Sequence, residues 1–360
     1  MNWLVGLVAG IISGTFPGMH INNIAMFLEG GAIVVGVVAF VFFEHIRLVF
    51  LNVPSESDVV GVHSAHRMLL RGEGIKAVYL LSVGTVLSIL LLSSLFPLII
   101  KILPVVYTIA KPIIPLVIIS ISAYIILTDN VIPAALTYIS AGMLGLATFL
   151  IHMNNPFLPL LTGLFGVGTM LHEIESKVHI PTQRKLKVGI SKKGIFWGVA
   201  SSFMLAIFPS LSPSQIAYLL PVRGESMLLA VGAVSGGDIV LSLASMWLWN
   251  KSRNGAITYL NNVSSRELTI AVLSAIVCFA LVVWFGTKIA KLLSGKKLKW
   301  FYIVSIVLVS VLSFLYDGFV GVMVLYTAAL IGYLSHTKCR KINMMGSLNL
   351  TTILLTLGLI

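Results

Sequence analysis

The sequence predicts an all-α polytopic membrane protein. Of its 360 residues, 58% are apolar and only 10% are Asp, Glu, Lys or Arg, whereas an ordinary soluble domain is roughly one quarter charged. The apolar residues form continuous runs and do not alternate with a period of two, which excludes a membrane β-barrel. A hydrocarbon core about 30 Å thick takes roughly 20 helical residues to cross, so the chain has room for about ten to twelve spanning segments.

Hydropathy divides the chain into twelve apolar stretches. They are residues 2–28, 31–51, 75–100, 104–127, 131–151, 156–172, 193–220, 225–249, 267–290, 299–316, 318–335 and 343–360. The longer polar connections are residues 52–74, 173–192 and 250–266. This pattern predicts a multi-pass protein of the cell membrane.

Two similar stretches of sequence indicate an internal duplication. Residues 16–25 read FPGMHINNIA and residues 208–217 read FPSLSPSQIA, so Phe, Pro, Ile and Ala recur at an offset of 192. The further landmark pairs are Gly6 and Gly198, Asp58 and Asp238, Arg71 and Lys251, Tyr79 and Tyr259, and Asp129 and Asp317. We predict two transmembrane repeats, residues 1–190 and residues 191–360.

The distribution of Lys and Arg distinguishes two topologies. If all twelve stretches cross, the repeats are parallel and the basic residues divide 12 to 11 between the two sides. If 2–28 and 193–220 are re-entrant hairpins with two helical arms, each half crosses about five times and the division is 18 to 5, with Arg47 uncounted inside a segment. Cytoplasmic loops carry the excess of Lys and Arg. We therefore predict inverted repeats, with 173–192 and 288–299 cytoplasmic, and attribute the net charge of +12 to topology rather than to nucleic-acid binding.

The middle of each hairpin carries proline and polar side chains within an otherwise apolar stretch. Proline breaks a helix, and broken backbone at membrane depth is tolerated only against protein or a water-filled cavity. Helix N-termini after each break would suit an anion. The alternative is two proline-kinked spanning helices. The candidate substrate-binding residues are Pro17, Gly18, His20, Asn22, Asn23, Pro209, Ser210, Ser212, Ser214 and Gln215.

Ionisable residues near the membrane segments are candidates for coupling or gating. An embedded carboxylate is a functional candidate, so Glu44 is the expected protonatable residue. The alternative is an interfacial pair in which Arg47 extends to the headgroups. Spacing places His63, Arg67 and Arg71 along one helix face, which either meets an anion on exit or faces solvent and lipid headgroups. The candidates are Glu44, Arg47, Asp58, Arg67, Arg71 and Asp238.

Other kinds of site are not indicated. His20 and His152 have no His or carboxylate at i+3 or i+4, so no metal site is predicted, and Cys278 and Cys339 form no CxxC pair. We find no P-loop, GxSxG or HExxH motif, and we predict neither an enzyme nor a cofactor beyond a coupling ion, H⁺ or Na⁺. An intramembrane hydrolase using Ser212 or Asp129 stays open as an alternative.

Four motifs carry a family resemblance. They are GTFPGMH at 14–20 with Asn22 and Asn23, PSESDV at 54–59, HRMLLRGEG at 66–74 and PLLTGLFG at 159–166. With these motifs the sequence resembles the TctA family, the large membrane subunit of tripartite tricarboxylate transporters, and more closely its stand-alone archaeal-type relatives. The resemblance implies secondary transport of organic anions such as tricarboxylates. Ser210 stands where the second hairpin would be expected to have glycine.

The sequence thus leads us to expect a secondary transporter for a small organic anion of the carboxylate class, bound at the tips of the two hairpins. The alternative is a lipid translocase for a polyprenyl phosphate or a similar lipid anion, and a structural scaffold is a third class. A translocase should show a lateral opening lined by apolar side chains and arginine, whereas a solute carrier should show a closed polar cavity. The expected partners are membrane lipids, a small anion or lipid phosphate, and a second copy in a homodimer.

Overall fold

The computed structural model describes residues 2–176, 179–184, 189–208 and 210–359. Every regular element within these ranges is helical, which confirms the all-α prediction. Eight of the described helices are long and apolar enough to cross a membrane. The chain is therefore a multi-pass membrane protein.

The α-helices are numbered in chain order. They are α1 Trp3–Thr15, α2 Gly31–Phe50, α3 Val62–Leu70, α4 Gly74–Ser94, α5 Phe96–Ala110, α6 Ile114–Leu127, α7 Val131–Leu150, α8 Phe157–Leu161, α9 Gly168–Glu175, α10 Lys192–Ile207, α11 Pro213–Tyr218, α12 Glu225–Trp249, α13 Ser265–Leu293, α14 Lys299–Ser335 and α15 Gly346–Thr356. A π-helical turn, Thr162–Val167, joins α8 to α9. Short 3₁₀ turns lie at Ile21–Asn23, Ala25–Phe27, Lys111–Ile113, Ile257–Tyr259 and Lys341–Met345.

Helix α14 folds back on itself at Gly318. The φ of Gly318 is +61°, a conformation that glycine adopts without steric cost. The hydroxyl oxygens of Ser310 and Tyr326, on opposite sides of this glycine, lie 2.9 Å apart. Residues 299–317 and 319–335 are therefore two antiparallel helices, which agrees with the separate stretches predicted at 299–316 and 318–335.

Helices α1 and α2 run in the same direction. A Cβ atom added to Gly6 would lie 2.1 Å from the carbonyl oxygen of Ala32, and one added to Gly14 would lie 2.6 Å from that of Phe40. The connection 16–30 must therefore return to the side from which α1 started, as in a re-entrant hairpin. The 13 residues of α1 rise about 20 Å, which is beyond the middle of a core about 30 Å thick.

Helices α10 and α12 repeat this arrangement. A Cβ atom on Gly194 would lie 2.5 Å from the Ser226 carbonyl oxygen, and one on Gly198 would lie 2.7 Å from that of Ala230. The chain between α10 and α12 therefore also returns to its starting side.

The expectation of two helical arms in each hairpin is wrong. The first hairpin returns through two 3₁₀ turns and the second through α11, which has six residues. Asn22 and Asn23 are poor helix formers because their side chains compete for backbone hydrogen bonds. Pro221 disfavours the helical conformation in the residue before it, which limits the length of α11.

Helix α4 runs antiparallel to α2. Phe50, at the end of α2, lies against Gly74 at the start of α4, where an added Cβ would be 3.2 Å from the Phe50 ring. Further back along α2, Nδ1 of His45 lies 3.2 Å from Oγ of Ser82. The chain therefore crosses back after α2.

Helix α12 runs parallel to α4. Nζ of Lys76 lies 2.5 Å from the carboxylate of Glu225, so both helices begin at the same level. A Cβ on Gly232 would lie 1.9 Å from the carbonyl oxygen of Leu81. Helices α2 and α12, which follow the two hairpins, therefore run in opposite directions. This relation is the one that inverted repeats require, while the division at residue 190 stays a prediction.

Equivalent turns end α2 and α12. Asn52 and Asn250 follow these helices with φ of +54° and +51°, a left-handed conformation that asparagine tolerates better than most residues. Each turn directs the chain back towards the helix that it has just left. The landmarks Asp129 and Asp317 are also equivalent, because each carboxylate caps a turn that leads into the last helix of the opposite half.

The landmark pairs at an offset of 180 are wrong. Asp58 lies in the connection after α2, whereas Asp238 lies within α12. Tyr79 lies in α4, whereas Tyr259 lies in a connection. Arg71 lies between α3 and α4, whereas Lys251 lies in the connection directly after α12. These pairs share residue types but not positions, because the connection after α2 contains α3 and the connection after α12 contains only a 3₁₀ turn.

The predicted boundary between 75–100 and 104–127 is displaced. The chain breaks at Leu95 and again at Lys111–Ile113, where Pro97 and Pro112 begin new helical segments as proline favours. The ring centroid of Phe96 lies 5.8 Å from that of Trp247, and the ring centroid of Tyr107 lies 5.0 Å from that of Trp249. Helix α5 therefore lies across the C-terminal end of α12.

The topology is testable by cysteine labelling. In a Cys339→Ser background, we expect an impermeant maleimide added outside intact cells to label Thr258→Cys but not Thr182→Cys. The reason is that the parallel pairs place these two exposed residues at opposite ends of the spanning helices. Labelling of both from one side would contradict the inverted arrangement, and permeabilised cells provide the control for reactivity at position 182.

Close packing between α4 and α12 makes a second prediction. Gly232→Ala should lower the free energy of unfolding by about 1–3 kcal/mol, since an added methyl group there overlaps backbone that cannot move aside. Thermal unfolding in detergent measures the change. Gly189→Ala is the matched control because, among the described residues, a Cβ there meets no atom within 4 Å. An equal loss in both variants would exclude packing as the cause.

Candidate functional site

The first hairpin tip, residues 16–20, is built around Gly18. Its φ is +82°, and an added Cβ would lie 2.6 Å from Val309 and 2.7 Å from Thr162. The hydroxyl of Thr162 donates a hydrogen bond of 3.0 Å to the Gly18 carbonyl oxygen. Pro17 before it supplies no N–H. Both conformation and space therefore require glycine at this tip.

An arginine and a glutamate of α2 hold the first tip. Nη1 of Arg47 donates to the carbonyl oxygen of Met19 at 3.2 Å, and Nη2 lies 2.5 Å from Oε1 of Glu44. Both side chains are only 3% exposed. Arg47 therefore pairs with Glu44, as the alternative expects, but its burial shows that it does not extend to the headgroups; a charge this deeply buried needs such a partner within the protein. We call Glu44, Arg47 and the Met19 carbonyl the first clamp.

The second tip, residues 208–212, has an equivalent second clamp. Nε of Arg253 donates to the carbonyl oxygen of Leu211 at 3.0 Å, and Nη1 donates to Oδ1 of Asp238 at 2.7 Å. Leu211 stands 192 residues after Met19, the offset of the repeated motif. Each tip thus presents the same carbonyl group to an arginine that a carboxylate neutralises, although Arg47 lies on α2 and Arg253 in the connection after α12.

His20 and Ser212, which follow Met19 and Leu211, cap the backbone segments that return from the two tips. Nδ1 of His20 accepts the backbone N–H of Asn22 at 3.1 Å, and Oγ of Ser212 accepts that of Gln215 at 3.1 Å. The expectation that the N-termini after the breaks offer N–H groups to an anion is therefore wrong for Asn22 and Gln215, because polar side chains two or three residues earlier accept their N–H groups.

The amides of the first hairpin connect it to other segments. Oδ1 of Asn22 accepts the backbone N–H of Ala256 at 2.9 Å. Oδ1 of Asn23 accepts a hydrogen bond of 3.0 Å from Nδ2 of Asn155. These contacts join the first hairpin to the connection after α12 and to the turn before α8.

The second tip has unused polar groups. Oγ of Ser210, Oγ of Ser214 and Nε2 of Gln215 are buried, and none has a hydrogen-bond partner among the described residues. Native proteins leave few buried polar atoms unpaired. Pro209, also predicted to bind substrate, lies outside the described residues. The second hairpin therefore offers three polar atoms whose hydrogen bonds a ligand would complete.

The connection after α2 returns to the first clamp. The hydroxyl of Ser55 donates to the Glu44 carboxylate, and the backbone N–H of Ser55 donates to Oδ1 of Asp58 at 2.8 Å. Oε1 of Glu56 lies 3.8 Å from Nε2 of His20. The carboxyl groups of Glu56 and Asp58 therefore lie beside the first clamp, although the sequence predicts that the connection containing both residues is a cytoplasmic loop.

Burial controls the ionisation of these two carboxyl groups, which lie outside the spanning helices. Burial raises the pKa of Asp58 well above its usual range, and the neighbouring Glu44 carboxylate raises it further. Burial also raises the pKa of Glu56, on which the charges of Arg253 and Asp238 act as well. The two clamps and this connection therefore form one electrostatic unit.

Two predicted residues stay apart from this unit. Arg67 and Arg71 are exposed, and a guanidinium nitrogen of Arg67 lies 2.6 Å from Nε2 of His63. The predicted basic face of α3 thus exists at the surface, but the tips do not contact it. In residues 2–176, 179–184, 189–208 and 210–359, no group of three or more His, Cys, Asp or Glu side chains is arranged to hold a metal ion.

Sequence reasoning missed Arg253, Ser55 and Thr162. A signal for Arg253 was present: Asp238 lies inside an apolar helix, where a carboxylate needs a cationic partner. Thr162 carried no such signal, because it reaches Gly18 across 144 residues of sequence.

Comparisons with known proteins identify the family. The family model described as "Tripartite tricarboxylate transporter TctA family" matches residues 1–233, which include both tips. An uncharacterized protein of Methanocaldococcus jannaschii is 27% identical over 264 residues, which are 66% of this chain and 65% of that protein. The match thus spans slightly less than two thirds of the relative's length. No solved structure matches the chain. The chain belongs to the tripartite tricarboxylate transporter TctA family.

Proposed function

We propose that this membrane-transporter component is a secondary transporter that moves a small organic anion of the carboxylate class between the two hairpin tips. The observation that carries the proposal is the pair of clamps. Each places a guanidinium group, buried for Arg47 and partly buried for Arg253, at a broken segment of backbone, and two such groups facing one cluster are suited to bind an anion with more than one carboxylate.

The charges of the cluster support cation coupling. Among the described residues it contains four carboxyl groups and two guanidinium groups, namely Glu44, Glu56, Asp58, Asp238, Arg47 and Arg253. If every carboxyl group were ionised, the cluster would carry an excess of negative charge and would repel an anion. Protons on Asp58 and Glu56, or Na⁺ ions, would remove that repulsion. We therefore propose that the anion binds together with H⁺ or Na⁺.

The second tip supports the proposed carboxylate class. A hydroxyl group and an amide nitrogen donate hydrogen bonds, and the unpaired atoms of Ser210, Ser214 and Gln215 are of these types. A carboxylate accepts hydrogen bonds only, so it complements all three atoms.

The lipid-translocase alternative has less support. The groove that opens laterally on α1 is lined by Leu4, Val5, Val8, Ala9, Ile12 and Ile24. No arginine lines this groove in the described part of the chain, whereas a lipid phosphate needs a cation beside the apolar path. A purely structural scaffold does not require buried charges, and desolvating them costs free energy. The buried charges therefore favour a transporter over a scaffold.

The family description also bears on partners. TctA proteins are normally part of a transporter with further subunits, and we propose such subunits as partners of this chain. A homodimer remains a prediction.

The second clamp gives a test of the proposed function. Arg253→Gln should lower citrate uptake into proteoliposomes about tenfold or more, since a hydrogen bond to a charged group contributes about 1.5–3 kcal/mol. The double variant Arg253→Gln with Asp238→Asn removes the unpaired carboxylate and tests whether the protein still folds. It should unfold at the wild-type temperature yet stay defective in uptake.

Arg67→Gln is the matched control because Arg67 is an exposed arginine outside the cluster. Wild-type citrate uptake by the folded double variant would show that the second clamp does not bind the anion.

For proton coupling we propose Asp58. Glu44, the coupling residue expected from the sequence, is already paired with Arg47, whereas Oδ2 of Asp58 is buried without a partner among the described residues. Because its pKa is raised, folded Asp58 retains a proton that the unfolded chain has lost. Stability should therefore fall as pH rises from the ordinary aspartate pKa through the raised value.

Asp58→Asn imitates the protonated form. We expect it to abolish the pH dependence of uptake and to reduce the loss of thermal stability with rising pH, while anion exchange persists. Glu29→Gln, at an exposed position, is the control. If Asp58→Asn keeps the wild-type pH profile, protons do not couple through Asp58 and Na⁺ becomes the coupling ion to test.

A further inference from the structure

A cavity of about 240 Å³ lies at the C-terminal end of α2, on the predicted cytoplasmic side. Its walls include the turn after α2, helix α3, the end of α9 and the connection before α14. The residues that matter for its chemistry are Asn52, His66, Glu173, Lys296, Lys297 and Lys299. Both halves of the chain therefore contribute to it.

The cavity is separate from the tips. Leu51, Val53, Val167 and Met170 belong to one buried apolar cluster together with Val309, the residue that Gly18 of the first tip contacts. None of the described residues that line the cavity belongs to either clamp or tip. A ligand in the cavity would therefore not touch either clamp.

Three lysines at the cavity have no internal partner. Lys296, Lys297 and Lys299 take part in no ion pair within the described ranges. Two carboxylates also line the cavity, where Oε1 of Glu173 accepts a 2.7 Å hydrogen bond from Asn52 and Glu175 accepts one of 2.9 Å from Tyr333. The three lysines exceed these two carboxylates by one positive charge. The cavity thus offers cationic groups that protein contacts do not use.

Two further side chains of the wall have unused hydrogen-bonding capacity. Asn52 is 8% exposed, and its Oδ1 has no partner in the described part of the protein, nor has Nδ1 of His66. Burial lowers the pKa of His66, so its ring is neutral at pH 7 and the positive charge of the site comes from the lysines. Unpaired buried atoms beside a cavity indicate that a ligand completes their hydrogen bonds.

The volume limits the ligand. At about 30 Å³ for each water molecule, the cavity holds roughly eight waters, which is enough for a small oxyanion and too little for a nucleotide.

We propose that this cavity binds a small oxyanion that also carries a hydroxyl group, as hydrogen phosphate or a hydroxycarboxylate does; its charged oxygens contact the three lysines, its O–H donates to Oδ1 of Asn52, and it pairs with Nδ1 of His66. The oxyanion comes either from the cytoplasm or from a lipid headgroup. Because Asn52 begins the connection that carries Ser55 and Asp58 to the first clamp, a ligand held there stabilises the connection from the side opposite the tips. The site is distinct from the proposed substrate site, and its test does not depend on transport.

The test measures oxyanion binding by thermal stabilisation of the full chain in phosphatidylcholine nanodiscs. Citrate and inorganic phosphate are the free probes, and nanodiscs containing phosphatidylglycerol provide the headgroup. The variant Lys296→Gln with Lys297→Gln removes two exposed charges and should weaken the effective probe about tenfold. Lys193→Gln, an exposed lysine that does not line the cavity, should bind like the wild type.

The outcomes separate the sources and the sites. Stabilisation by citrate or phosphate that the double variant loses supports a free anion, and the same loss with phosphatidylglycerol supports a headgroup. The proposed tip site is removed independently by Arg253→Gln with Asp238→Asn, and cavity binding should persist in that variant. The proposal is overturned if the lysine variant responds to every probe as the wild type does, or if the tip variant alone eliminates all binding.

Discussion

The structure depends on the pairing of buried and partly buried charges at the ends of two incomplete helices. A guanidinium group or a carboxylate within a low-dielectric region is stable only with a partner of opposite charge and with satisfied hydrogen bonds. Arg47 pairs with Glu44 and donates to the Met19 carbonyl. Arg253 likewise pairs with Asp238 and donates to the Leu211 carbonyl. The same contacts also satisfy backbone groups that have no helical partner where α1 and α10 end.

Close helix packing makes this pairing achievable. Glycines on α1 bring its backbone against α2, and glycines on α10 bring its backbone against α12, as small residues do in membrane helix pairs. Both tips therefore lie within reach of side chains on the following helix or connection. In each half the chain then turns back through an asparagine with positive φ, which returns polar residues to the tip instead of releasing them to the surface.

The two tips present corresponding carbonyl groups to their clamps but differ in the use of their side chains. Asn22 and Asn23 of the first hairpin bond to Ala256 and Asn155, so protein contacts occupy the amides of the first hairpin. Ser210, Ser214 and Gln215 at the second tip have buried atoms without partners in the described residues. The amides of the first hairpin are therefore used by contacts within the protein, whereas the polar atoms of the second hairpin are those that the proposed substrate would bind.

The sequence by itself determined the all-α membrane fold, because long apolar runs can satisfy their backbone in a bilayer only as helices. It also determined the hairpin motif and its offset of 192, since prolines and polar residues recur in both halves at the same spacing. Only the tertiary structure decided which charges meet. Arg253 reaches Leu211 across 42 residues and Thr162 reaches Gly18 across 144, distances over which local periodicity carries no information. The tertiary structure also showed which landmark pairs occupy equivalent positions. Asp58 and Asp238 share a residue type, but Asp58 lies in a connection and Asp238 lies within α12. Equivalence depends on where each helix ends and not on the number of residues between two aspartates.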